Sequence, residues 1–519
     1  MPALNTCNDG PLLIGIDVGS SNIKAVVYEL DGRSVAHGSV PTITHYPQPT
    51  WAYVEPEQLW ESVCSILQQV VSQVSEPNRI VSVAVASFGE AGIPLDRSGS
   101  PTYDEIAWFD RRTIPQAEWL EANIGEPSIF AITGLNIQPI YTLSKLMWIR
   151  ENQPEAWQQT TSWLLTADYI AFKLCGAKAT DYSLASRSLA FNLATRTWAT
   201  DLLAEVGIDP QILSPLVQSG TPIGRVTPAA SQLTGLPEHV IVGAGGHDHV
   251  CGALAAGVVN TDQMLDSMGT AEALFFPRNQ PITDLSVGHQ GYSQGAHVAP
   301  DKYYLFGGLY TSGASLDWIR DIAGNVSHEQ LIEEAGETPP GSLGVAFLPH
   351  LRLSNAPTPD AKARGAFLGL TTDVTRGAMV RAVLEGLGYE ARATIEPVLR
   401  FSGMPAKPEV SVIGGSTKNG LLLEIKSSIL GTPLRIVELD EATALGAAML
   451  GGIACGAYRN FDDALATVSQ VQHDINPQPE HIEPYDRYFK DVYLRLFSTL
   501  QPINHSIHDI MVDQAGSHI

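Results

Sequence analysis

Between Val240 and Gly257 the chain runs from an apolar stretch through Gly245 and Gly246 to His247-Asp248-His249, and then into a run of small residues. That order reads as a strand giving way to a helix, with one carboxylate, Asp248, at the junction and no bulk beside it. A general base must hydrogen-bond the hydroxyl whose proton it takes, and an aspartate in so open a setting suits that task. A second segment, Ile14 to Tyr28, reads as strand, tight turn, strand, with Gly19, Ser20 and Ser21 in the turn. Amides and hydroxyls of such a turn can point at phosphate oxygens, with Lys24 following and Asp17 placed to hold hydrated magnesium. The Walker spacing is absent, and the same residues also suit an ordinary hairpin turn.

The second half repeats this grammar. Asp266 to Ala271, containing Gly269 and Thr270, lies between strand-like runs, and Val410 to Asn419 is a strand feeding a turn that contains Gly414, Gly415 and Asn419. Glycine-rich turns after apolar strands in both halves predict duplicated α/β domains with a cleft between them. The expected division is 1–257, 258–500 and a peripheral tail, 501–519, in which no sustained periodicity is read. Within the first half the pattern predicts a hairpin series over 12–40, a helix over 56–70 and a buried strand over 80–86. It also predicts a hairpin over 93–106, turning at Arg97-Ser98-Gly99.

Charge then limits the ligands. With 31 Lys plus Arg against 55 Asp plus Glu, the formal charge is -24, which opposes nucleic acid and anionic membrane. A polyphosphate must therefore be held by local amides, hydroxyls and a metal ion. The five cysteines form no CxxC pair, the first basic residue is Lys24, and no apolar run reaches the ~18 residues of a membrane span. A reducing cytoplasm is the expected compartment.

Taken in order, these segments resemble the FGGY carbohydrate kinases of the sugar kinase, heat-shock chaperone and actin superfamily. Asp17 to Ser21 is similar to that family's first phosphate motif, Asp266 to Thr270 to its second, and Gly414 to Asn419 to its adenosine motif. Gly246-His247-Asp248 resembles the catalytic aspartate segment, and Arg381 to Glu390 the signature helix. Ser312 to Trp318 and Ala363 to Leu370 add further similar stretches. The resemblance implies two ribonuclease-H-like (actin-like ATPase) domains closing on ATP, Mg2+ and a sugar or polyol. It implies Asp248 as base, Asp17 on magnesium through water, and Gly19, Ser20, Ser21, Lys24, Gly269 and Thr270 around the phosphates. Gly313, Gly414, Gly415 and Asn419 would support the nucleotide, while Glu90, Trp108 and Asp110 would join Asp248 at the acceptor.

Departures bear on the substrate. Glu90 resembles the acidic ligand of glycerol kinases, but the arginine preceding it there is replaced by Gly89, and the aromatic expected after Pro139 is Ile140, with Tyr141 one residue on. The Met-His pair of xylulose kinases is likewise replaced by Gly89-Glu90. Leu353 to Pro357 lacks a Glu-Arg pair common in the family, at a position expected to lie away from the chemistry. The expectation is an ATP-dependent kinase of a ketose or polyol, such as xylulose, ribulose or a related sugar, with a homodimer allowed. Two other classes compete: a chaperone-like or scaffold ATPase of the same fold, and a metal-dependent hydrolase using His247, Asp248 and His249.

Overall fold

The structure is a computed structural model and describes residues 10–324 and 326–516; Cys7 lies outside them. The first sheet is built from β1 (Leu12–Val18), β2 (Asn22–Tyr28), β3 (Ser34–Pro41), β4 (Ile80–Ser87), β5 (Pro222–Arg225) and β6 (Ile241–His247). Its strand order is β5-β6-β4-β1-β2-β3. β1 pairs antiparallel with β2 and parallel with β4, which pairs parallel with β6. Helix α1 (Pro56–Ser72) buries Leu59, Val63, Ile66, Leu67 and Val70, the face expected from its 3.6-residue period.

After β6 comes α2 (Asp248–Ala255), then the second sheet: β7 (Gln263–Met268), β8 (Glu272–Arg278), β9 (Ser293–Ala296), β10 (Tyr303–Leu309), β11 (Glu409–Ile413), β12 (Leu434–Glu438) and β13 (Val471–Ile475). The order is β9-β10-β8-β7-β11-β12-β13. Here too the first strand pairs antiparallel with the second and parallel with β11, which pairs parallel with β12. The repeated topology is that of two ribonuclease-H-like domains, the actin-like ATPase arrangement.

The halves interlock beyond a division at 257/258. Helix α6 (Ala442–Cys455) packs on β1, β4 and β6 of the first sheet and crosses α2. A Cβ on Gly15 would lie 1.7 Å from the Ala444 carbonyl oxygen, and one on Gly446 2.0 Å from that of Cys251. Two sequence expectations are corrected. Gly92–Leu95 pairs with Ser162–Leu165 and Glu105–Ile106 with Tyr53–Val54, so the expected 93–106 hairpin is shorter than read: its arms pair across 94–102, with the Asp96 amide donating to the Ser100 carbonyl and the Thr102 amide to the Pro94 carbonyl, each at 2.9 Å. The tail is helical within Leu494–Gly516. Gln501 and His505 both bind Asp360 Oδ2, at 3.1 and 2.7 Å, and these anchors hold the helix despite Pro502. Among the described residues no helix is long and apolar enough to cross a membrane.

One buried group in the second half ties stability to pH. His297 is 1% exposed, accepts the Ala299 amide on Nδ1 at 2.9 Å, and packs on Phe275. Burial drives its ring down to about 3, against about 6.5 when unfolded. Between those values only the unfolded chain takes up the proton, so stability falls as pH drops through that window, by about 2 kcal/mol at pH 5. His297→Gln keeps an acceptor and removes the titration. The melting-temperature advantage of wild type over this variant should shrink between pH 7.5 and pH 5; an unchanged difference would rule the linkage out.

Candidate active site

The turn joining β1 to β2 is closed by the Gly19 amide donating to the Asn22 carbonyl at 3.0 Å. The Thr42 hydroxyl, donating to the Gly19 carbonyl at 2.7 Å, ties it down, and Ser20 and Ser21 are exposed on it. Asp17 and Lys24 are cross-strand partners and line a cavity of about 280 Å³ between the sheets. Lys24 Nζ lies 2.7 Å from Glu441 Oε2 of the other half. Burial, and then the Asp248 charge, push the Asp17 carboxyl up to about 7. A desolvated carboxylate with too little positive charge nearby fits a magnesium ion reached through water.

Asp248 opens α2 directly after β6. The pairing of β6 with β4 slips between Gly243 and Gly246, a bulge of the kind that re-aims side chains. Gly245 permits it, because a Cβ there would lie 1.8 Å from the Val85 carbonyl oxygen. The strand end is pinned by the His247 amide donating to Ser183 Oγ at 2.9 Å, while that hydroxyl donates to Asp181 at 2.7 Å. Asp248 Oδ1 accepts the His249 amide at 2.6 Å and lies 3.2 Å from His247 Nδ1. Burial works against its charge, but His249 and His247 hold the carboxyl below the usual value. Burial drives His247 itself down to about 4, so at neutral pH an ionised aspartate sits beside an uncharged imidazole.

Asp248 also lines a second cavity, of about 310 Å³, with Glu90, Trp108, Tyr141 and Arg187 from the first half and Tyr304 and Asn355 from the second. His249 and Phe306 border both cavities, so the carboxylate stands where they adjoin. Glu90 is 6% exposed and takes the Arg187 Nε–H on Oε1 at 2.8 Å. Burial opposes its charge, yet Arg187 and His247 keep its carboxyl below the ordinary value.

Two sequence readings change here, and one residue enters that the sequence did not mark. Asp110 does not line this cavity: its carboxylate is buried, pairing with Arg112 at 2.7 Å and accepting the backbone amides of Ala52 and Arg112. Asn355, expected away from the chemistry, forms part of the wall. Arg187 was not anticipated at all; its signal in the sequence was a lone charge among small and apolar residues, Leu184 to Phe191, which needs a buried partner. Tyr141, displaced by one residue from the expected aromatic, still reaches the cavity, with its ring centroid 5.4 Å from the Arg187 guanidinium.

In the second half, Gly269 and Thr270 are exposed on the turn between β7 and β8. Helix α3 (Gly313–Ile322) sits against that turn, with the Gly313 amide donating to the Gly269 carbonyl at 3.0 Å and Ala314 to Thr270 at 3.1 Å. Gly414 lines the first cavity and Gly415 is exposed beside it. The Asn419 side-chain oxygen caps α5 (Gly420–Leu430; α4 is the signature helix, Arg376–Ser402) by accepting the Leu422 amide at 3.1 Å. Its NH2 group and the second lone pair of that oxygen remain for a ligand. Beneath the Gly269 turn lies a buried triad: Lys426 Nζ is 2.5 Å from Asp266 Oδ2 and 2.6 Å from Glu272 Oε1, and Glu272 Oε2 accepts the Ser312 hydroxyl at 2.9 Å. Asp266 therefore supports the turn from below rather than meeting a ligand.

Two like sheets around a cleft, with an exposed turn from each half and one ionised carboxylate between two cavities, define a phosphotransferase with an alcohol group as acceptor. The chain belongs to the FGGY family of carbohydrate kinases: the family's N-terminal domain matches residues 12–255 and its C-terminal domain residues 264–455. It is 28% identical over 498 residues to the xylulose kinase of Bacillus subtilis (strain 168), covering 95% of this chain and 98% of that one. It is 29% identical over 465 residues to the glycerol kinase of Leifsonia xyli subsp. xyli, covering 87% and 90%. The crystal structure of xylulose kinase from Rhodospirillum rubrum superposes with a TM-score of 0.87 at 28% identity, covering 95% of this chain and 100% of that one.

The triad yields a prediction. Lys426→Met leaves two buried carboxylates facing each other, which should destabilise the protein by about 3–5 kcal/mol. The triple variant Lys426→Met/Asp266→Asn/Glu272→Gln, which removes all three charges, should recover most of that loss in melting temperature. Equal melting temperatures for the two variants would show that charge imbalance is not what the lysine relieves.

Proposed function

We propose that this carbohydrate kinase phosphorylates a neutral ketose of the pentulose class with Mg2+ and ATP, and that Asp248 is its base. The observation that carries the reading is the position of Asp248, ionised at neutral pH, lining the cavity that holds Glu90 and adjacent to His249, which borders both that cavity and the one lined by Asp17 and Lys24. The acceptor hydroxyl's proton passes to Asp248 as its oxygen bonds to the γ-phosphorus, and the bond from that phosphorus to the bridging oxygen breaks to release ADP. Little covalent work is left to the protein, so alignment and charge stabilisation dominate. Asp17 would hold magnesium through water, and the ion would supply positive charge to the phosphates. Gly19, Ser20, Ser21, Lys24, Gly269 and Thr270 would line those phosphates, while Gly313, Gly414, Gly415 and Asn419 would support the nucleoside.

The acceptor cavity, of about 310 Å³, has room for a five-carbon sugar. Relatives named xylulose kinase point the same way. A hydrolase built on His247, Asp248 and His249 is disfavoured: among the described residues no three His, Cys, Asp or Glu side chains group to hold a metal. A chaperone would not need the polar acceptor chamber. The unpaired cysteines Cys64, Cys175, Cys251 and Cys455 support the cytoplasm as its compartment.

Asp248→Asn keeps the shape and removes the proton acceptor. Turnover of D-xylulose should fall ~10²–10⁴-fold while ATP binding, followed by titration calorimetry, stays within a few-fold. A folded variant with near-normal turnover sinks the assignment of the base.

A further inference from the structure

Arg187 lies outside every segment that the sequence marked for function. It follows the helical turn Tyr182–Ala185, which is locked by Asp181: that buried carboxylate accepts the Ser183 and Leu184 amides and the hydroxyls of Ser183 and Ser219. From this fixed base the guanidinium enters the acceptor cavity. Nε donates to Glu90 Oε1 at 2.8 Å, a terminal nitrogen lies 2.8 Å from the same oxygen, and the other donates to Ser293 Oγ of β9 at 3.3 Å. Glu90 Oε2 takes a single hydrogen bond, from the Gly89 amide at 3.1 Å. The guanidinium thus meets Glu90 and Ser293, with the hydroxyl groups of Tyr141 and Tyr304 also in reach of it, beside a carboxylate that can still accept.

Gly89 makes this possible. A Cβ there would lie 2.7 Å from Arg187 Cγ, 2.8 Å from its Cβ and 2.9 Å from His247 Cδ2. The chain has no arginine immediately before Glu90, and it uses the vacated space for an arginine delivered from elsewhere in the fold.

We propose that Arg187 is a specificity-determining residue of the acceptor site: paired with Glu90, it donates to oxygens of an uncharged ketose and discriminates against anionic acids. This rests on the acceptor reading above. The discrimination follows from charge: Glu90 neutralises the guanidinium and Asp248 adds a further negative charge, so a carboxylate-bearing acceptor meets net repulsion. Through Ser293 the same side chain makes acceptor reading depend on contact between the two halves.

The test compares wild type with Arg187→Met, Glu90→Gln and the double variant, using D-xylulose and the five-carbon acid D-xylonate as probes. Arg187→Met should lower kcat/KM for D-xylulose by about 100-fold, because buried hydroxyls and Glu90 lose a partner, with the KM for ATP shifted less than about threefold. Glu90→Gln leaves the guanidinium without its counter-charge and should raise the D-xylonate to D-xylulose ratio of kcat/KM about tenfold or more, and the double variant should lose that gain. Should Arg187→Met fold poorly, Glu90→Gln and the double variant, which strands no buried charge, decide the matter. A folded Arg187→Met with wild-type kinetics on D-xylulose overturns the inference alone, as does an unchanged acid ratio in Glu90→Gln. A wild type inactive on D-xylulose and on every other pentulose overturns the acceptor reading, and the inference with it.

Discussion

The cleft depends on one close helix crossing. α2 and α6 meet backbone to backbone, and Gly15 and Gly446 are the positions where a side chain would collide with Ala444 and Cys251. Small residues along both helices let the two sheets share a core between them, made of residues such as Val250, Ala253, Ala447 and Leu450. Contacts between main chains have little freedom to repack. Asp248 is the first residue of α2, Glu441 precedes α6, and the Thr443 hydroxyl donates to the Asp248 carbonyl at 3.4 Å. The crossing therefore sets where the proposed base stands relative to Asp17, Lys24 and Glu441.

That placement gives the two cavities opposite electrostatic needs. Asp17, Asp440 and Glu441 line the first, with Lys24 as its one lysine or arginine, in a chain that already carries a charge of -24. A bare polyphosphate would be repelled there, so its accompanying cation has to supply the missing charge. The second cavity sets Arg187 against Glu90 and leaves only Asp248 uncompensated by a formal cation. The first cavity thus favours an anion that brings a metal, and the second favours an acceptor without net charge.

What the sequence disclosed is what local chemistry determines. The strand end before Asp248, the Gly19 turn and the α1 face were legible because spacing alone fixes them. The paired sheets followed from the same turn grammar in both halves. Tertiary pairing was not legible: the hairpin closes only across 94–102, and Glu105–Ile106 leaves it for Tyr53–Val54 while Gly92–Leu95 also takes Ser162–Leu165 as a partner. Asp110 shows the limit of a resemblance, since the run Trp108 to Arg112 spells equally a sugar contact and a buried pair between Asp110 and Arg112. Arg187 and Asn355 reach the cavity only through the fold, so nothing in their neighbours could assign them to it.

The second half supplies Ser293, Tyr304 and Asn355 to the proposed acceptor cavity, and on that proposal this bears on the competition between sugar and water. An acceptor held by the first half alone would leave the phosphoryl group open to hydrolysis whenever the sugar was absent. Walls drawn from both halves tie enclosure of the hydroxyl to their contact, which excludes water when transfer occurs. A small acceptor that fails to bridge Glu90 and the second sheet would leave room for solvent beside Asp248, whatever its affinity for the first half. On the proposed acceptor role, discrimination between sugars and suppression of hydrolysis would draw on the same interfacial side chains, because both would depend on how completely the acceptor fills the space between the two sheets.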